Sequence, residues 1–121
     1  MRLAPLALVI LAAVPLRAQT AADSSAIRAT ALDYVEGWYD GNPERMGRAV
    51  HPELVKRIVV SDTATRTSVL QNMGASALVN GTRHGWGKET PKARQQKDVA
   101  ILDIYGNAAS VKAVMADWID Y

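Results

Sequence analysis

Cysteine is absent from all 121 residues. No disulfide can staple this chain, so its stability has to come from a packed core. Long runs of one charge, internal repeats and low-complexity tracts are missing too. With 49% apolar residues, that excludes a disordered or fibrous chain and leaves one small globular domain. Only two histidines occur, His51 and His84, and without a paired-ligand spacing they supply no metal set. Neither a phosphate-binding glycine pattern nor a nucleophile elbow is present, so no nucleotide and no cofactor is implied.

The N-terminal apolar run, residues 3–14, is too short to span a bilayer comfortably. It follows Arg2, is interrupted for helix by Pro5 and Pro15, and gives way to small and polar residues. That is the layout of a secretory signal, with Ala18 as the cleavage point. The chain then divides into a signal peptide over 1–18, a linker over 19–25 and a folded domain over 26–121. Its expected location is secreted or periplasmic, with no membrane association once the signal is gone. Cleavage removes Arg2 and Arg17 from the 14 basic residues and leaves 12 against 12 acidic ones. The mature domain is neutral, and no basic stripe argues for nucleic acid.

Along the chain, Ile27, Ala31, Tyr34 and Trp38 recur at helical spacing, with Leu32, Val35 and Tyr39 widening the stripe. Gly41-Asn42-Pro43 stops this helix, and Pro43 begins a short second one through Val50 with Met46 inward. His51-Pro52 breaks it. Residues 54–60 are rich in Val and Ile and predict a strand, 61–63 a turn, and 67–70 a short partner strand. Residues 74–80 predict a helix with Ala75, Leu78 and Val79 inward and Gly81 ending it. Residues 82–96 carry turn-formers without periodicity and predict a loop. Asn80-Gly81-Thr82 matches a glycosylation acceptor, which matters only in a eukaryotic secretory pathway.

The C-terminal stretch predicts a hairpin about Gly106-Asn107. Tyr105 then faces Ala108, followed by Asp103/Ser110, Leu102/Val111 and Ala100/Ala113. Alternation puts Ala100, Leu102, Ile104, Ala109, Val111, Ala113 and Met115 on one apolar face. Read as one strand from 109 to 121, the same parity brings Asp117 onto that face, where a bulge would turn it outward. Helices followed by an antiparallel hairpin make an α+β arrangement, with the long first helix across the concave side of the sheet.

Three stretches, YVEGWYDGNPERMGRAVHPELVKRIV, TRHGWGKETP and VAILDIYGNAASVKAVMADWIDY, carry a resemblance. In that order they resemble the nuclear transport factor 2-like superfamily, in the branch described as putative lumazine-binding proteins. The resemblance covers residues 26–121 and implies an α+β cone, N-terminal helices packed on a curved antiparallel sheet with a pocket at the open end. Relatives in the superfamily include ketosteroid isomerases, polyketide cyclases, dehydratases and non-catalytic binding domains, so the fold alone does not fix the function. Such proteins usually continue past the equivalent of IDY with another strand pair, whereas this chain stops at Tyr121, so the last strands are expected to be missing and one edge of the strand ending there bare.

Tyr34, Trp38, His51 and Asp117 are the candidate site, joined in ligand binding by Met115 from the same sheet face and by Trp86. An acid in an apolar site favours its neutral form and suits general acid or base work. A tyrosine donor there resembles the oxyanion sites of the isomerase relatives. Against this stand plainer roles: Tyr34 and Trp38 as core, Asp117 on a backbone amide, and His51 as a cap over the last helix carbonyls. His84 and Trp86 sit in the glycine-rich loop, placed to lid the pocket mouth. Three functional readings follow. The first is an exported domain binding a small apolar or aromatic ligand. The second is an isomerase, cyclase or dehydratase using Asp117 with Tyr34 or His51. The third is a dimerisation module pairing as a homodimer through its exposed sheet.

Overall fold

The computed structural model describes residues 20–116 and 118–120. The expected signal segment and Asp117 lie outside the described residues.

Helix α1 spans Ala21–Asp40. Thr20 caps it: its hydroxyl accepts from the Asp23 N–H at 3.1 Å, and the Asp23 carboxylate accepts from the Thr20 N–H at 3.0 Å. Residues 21–25, expected as linker, are therefore helix, because this reciprocal cap lies upstream of the Ser24-Ser25 pair. Asn42 caps α2, Pro43–Ala49, by accepting from the Arg45 N–H at 3.0 Å. The deepest α1 residues are Val35, Gly37 and Tyr39, while Ile27, Ala31, Tyr34 and Trp38 are half-buried. The stripe is displaced because α1 is covered on two sides. Val35 and Tyr39 pack with Ala113 and Met115 of the sheet, and Gly37 lies against Arg45 and Met46 of α2.

Strands β1, Val55–Asp62, and β2, Thr67–Gly74, pair antiparallel with Val59 opposite Leu70. Both are longer than the sequence predicts, and Ser61 and Asp62 are strand rather than turn. The Asp62 carboxylate ends the hairpin by accepting the N–H groups of Ala64 and Thr65. Helix α3, Ala75–Arg83, buries Ala75 and Leu78 as expected. Gly81 does not end it: Gly81 and Thr82 are buried within the helix, and the Thr82 hydroxyl donates to the Leu78 carbonyl at 2.9 Å. Two 3₁₀ turns, Trp86–Glu89 and Lys92–Arg94, occupy the stretch expected as loop.

Strands β3, Asp98–Tyr105, β4, Ala108–Met115, and β5, Trp118–Asp120, form a second antiparallel sheet in that order. The turn is where the sequence places it, with Gly106 in the left-handed region at φ 57°. Pairing proceeds as expected from Tyr105/Ala108 to Asp103/Ser110, then shifts between Ile101 and Asp103. Ile101 faces Val111 and Val99 faces Ala113, so the expected pairs Leu102/Val111 and Ala100/Ala113 do not form. Beyond this irregularity the side chains of β3 swap faces. Leu102 is 56% exposed and Ala100 is exposed, while Val99 and Ile101 turn inward. The extra residue is in β3, so β4 keeps its parity and buries Ala113 and Met115.

The single strand expected over 109–121 is not formed. β4 ends at Met115 and β5 returns along it, with Met115 opposite Trp118 and Ala113 opposite Asp120. The second edge of β4, expected bare, is thus partnered near its end by the chain's own next residues. Helix α1 is fastened to this sheet at both ends. The Arg28 guanidinium donates to the Val99 carbonyl at 2.6 Å, and the Tyr39 hydroxyl accepts from the Ala116 N–H at 3.0 Å. Three helices packed against antiparallel strands are the α+β class that the sequence predicts.

Candidate functional site

Tyr34 and Trp38 stand one helical turn apart on α1 and point the same way. Lys56 shares the inner face of β1 with Ile58, both half-buried among exposed neighbours. The return of β5 brings Asp120 opposite Ala113, level with Tyr34. Three polar groups from three elements meet there. The Lys56 ammonium donates to the Tyr34 hydroxyl and lies 3.0 Å from the Asp120 carboxylate. The Tyr34 hydroxyl in turn donates to Asp120 Oδ2 at 3.1 Å. Lys56 Nζ also sits 5.3 Å from the Tyr34 ring centroid, within cation–π range. Burial first, then the charge of Asp120 and its hydrogen bond, push the Tyr34 phenol well above the usual tyrosine range. It therefore stays protonated and acts as a hydrogen-bond donor.

This triad borders a recess of about 760 Å³ between the β1–β2 ribbon and the three-stranded sheet. Trp38, Leu78 and Met115 supply apolar wall, and Trp86, half exposed, adds an aromatic face. Glu89, Thr90 and Pro91 complete one side, so the segment expected as a lid forms part of the wall. It is held by close backbone contact: a Cβ on Gly81 would lie 2.5 Å from the Trp86 indole, and one on Gly87 would lie 2.1 Å from the Trp38 carbonyl oxygen. Arg57 borders the recess with no hydrogen-bond or ion-pair partner among the described residues.

A second recess, about 540 Å³, opens on the other side of the triad. It is lined mainly by apolar residues, among them Ile27, Ala31, Leu54 and Val111, together with His51. The two recesses share only Tyr34 and Asp120, whose hydrogen bond stands in the common wall.

Of the residues singled out in the sequence, Tyr34, Trp38, Trp86 and Met115 border the larger recess. His51 does not. It is exposed beside the smaller one, where its Nδ1 accepts the Glu53 N–H at 3.2 Å. It caps a turn after α2 rather than the last carbonyls of that helix. The acid against Tyr34 is Asp120, which the return of β5 brings there and which one unbroken strand would place on the opposite face. Lys56 is likewise not among the sequence candidates, although its alternation with Ile58 marks it as an inward charge. Among the described residues no group of three or more His, Asp and Glu side chains is arranged to hold a metal ion.

The family model described as putative lumazine-binding matches residues 22–121. No curated protein and no solved structure matches the chain significantly. The match takes in α1, both sheets and every residue of the triad, and with the α+β architecture it means that this chain belongs to the putative lumazine-binding family of the nuclear transport factor 2-like superfamily.

Proposed function

We propose that this chain is an exported domain that binds a small aromatic or apolar molecule in the larger recess. The observation that carries the reading is the convergence of Tyr34, Lys56 and Asp120 on a volume of about 760 Å³ walled by Trp38, Trp86 and Met115. Sites of this kind combine apolar walls with a few placed polar groups. Membership of a family described as lumazine-binding supports small-molecule binding. Native mass spectrometry of the purified protein is the test, with titrations of aromatic ligands read by tryptophan fluorescence. A co-purifying ligand, or saturable quenching that Trp38→Ala abolishes, is the expected result. Quenching unaffected by that substitution would remove the recess from the reading.

Export rests on the charge and apolar pattern of residues 1–18. Intact-mass measurement of protein recovered from an exporting host should show these residues missing, and a mature form that keeps them would end the idea.

One observation favours a second, catalytic reading, in which the chain is an isomerase, cyclase or dehydratase. A carboxylate and a phenolic donor, 3.1 Å apart, face one recess, and such a pair suits proton transfer beside a developing oxyanion. In this reading Asp120 is the acid or base and Tyr34 the donor.

A further inference from the structure

Ligand binding by the recess does not require a lysine, and Lys56 stands apart from the chain's other amines. Its side chain is 21% exposed, against 41% for Lys97. Lys88 and Lys92 are exposed, and Lys112 is the other half-buried one. Lys56 alone among them borders the recess. Its ammonium touches a carboxylate and a phenol that also touch each other. A structural ion pair needs only the carboxylate. An amine, a proton acceptor and a hydroxyl relay within hydrogen-bond reach are what condensation with a carbonyl compound needs.

We propose that Lys56 captures an aldehyde or ketone in this recess as a protonated imine. The Lys56 ammonium passes one proton to Asp120, and the freed amine attacks the carbonyl carbon. A C–N bond forms while the carbonyl π electrons move to oxygen. The Tyr34 hydroxyl, in contact with both partners, relays a proton from nitrogen to that oxygen and gives the carbinolamine. Asp120 returns its proton to the hydroxyl, the C–O bond breaks and water leaves. The positive imine nitrogen stays opposite the Asp120 carboxylate. Overall, one carbonyl and one ammonium become one protonated imine and one water, with no oxidant or reductant consumed. Trp38 and Met115 bury the organic part of the compound, and the Tyr34–Lys56–Asp120 contacts hold the amine in place.

The inference rests on the recess being the ligand site, and its test separates the two ideas. The protein is incubated with benzaldehyde and cyanoborohydride, which fixes any imine as a benzylamine, and the adduct is located by peptide mass mapping. Lys56 should gain one benzyl group about tenfold faster than Lys88, Lys92, Lys97 or Lys112, as expected for an amine held beside its proton relay. Lys56→Arg, which keeps a cation opposite Asp120, should lose that adduct, and Tyr34→Phe should slow it. Circular dichroism checks that the variants fold, and the wild-type map alone decides if one does not. Benzyl alcohol, the same ring without the carbonyl, reads the recess by tryptophan quenching. Quenching by benzyl alcohol with no preference for Lys56 overturns the imine and leaves the binding site standing. Absence of quenching by either compound, with labelling spread evenly over the lysines, overturns both.

Discussion

The backbone of Gly87 runs so close to Trp38 that a Cβ added there would lie 2.1 Å from the Trp38 carbonyl oxygen. Backbone atoms cannot swing aside as a side chain can, so the turn at Trp86–Glu89 would have to lift away from α1. Overpacking of this kind costs roughly 1–3 kcal/mol. Gly87→Ala should therefore lower the melting temperature by on the order of 10 °C and open the recess on that side. Gly47 is the control: it lies inside α2 with nothing within 4 Å of an added Cβ. Gly47→Ala should stabilise by about 0.5–1 kcal/mol. Differential scanning calorimetry of the pair checks both signs, and equal melting temperatures for the two variants would refute the account. The Gly87 contact could not be read from the sequence, where Gly87 is one of several glycines in an aperiodic stretch. Tyr34 and Trp38 were legible because helical spacing pairs them. Lys56 and Asp120 were not singled out, because each needs a partner more than 60 residues away in the other direction of the chain to acquire meaning.

Three acids on α1, Asp33, Glu36 and Asp40, fall three and four residues apart and so line one face. Arg45 of α2 reaches all three: Nε lies 2.8 Å from Asp33, one terminal nitrogen 2.5 Å from Glu36 and the other 3.5 Å from Asp40. Arg48 adds a contact to Asp33, and Lys97, just before β3, adds one to Glu36. The hydrogen bonds from Arg45 are the largest cause holding Asp33 and Glu36 below their ordinary values of 3.8 and 4.5. A carboxylate depressed in the folded state stabilises it above its unfolded value and loses that contribution as pH falls through the folded value. The difference in urea midpoint between the wild type and Arg45→Met should thus be full at neutral pH and shrink below about pH 4. A difference that stays constant down to pH 2 would show that Arg45 acts through packing alone. At this scale the sequence is legible where punctuation is strong. Gly41-Asn42-Pro43 separates α1 from α2, and Gly106 sets the β3–β4 turn. It is illegible at the irregularity in β3, because Val99, Ala100, Ile101 and Leu102 are all apolar and either parity presents a hydrophobic face.

The strands divide into two separate ladders, and they are unequally supported. β3 and β4 lie under α1, whereas β1 and β2 pair mainly with each other and leave Val55, Val59, Val69 and Leu70 each more than half exposed. A two-stranded ribbon by itself is marginal in water. Hydrogen exchange should therefore release the ribbon amides around Val59, Val60, Val69 and Leu70 well before those of β3 and β4, although both hairpins are eight residues a side. Equal protection of the two would mean that the ribbon is covered in solution. The division was hidden in the sequence because strand propensity does not say which strands share a sheet. The return of β5 was hidden because Ala116 and Asp117 carry no glycine or proline to mark a turn. One hydrogen bond, from Tyr34 to Asp120, stands in the wall common to both recesses. A molecule that takes over the Tyr34 hydroxyl from one side withdraws it from the other, so occupancy on the two sides is thermodynamically linked. Reciprocity then requires that each occupant change the other's affinity by the same factor, through a single hydrogen bond and within one chain.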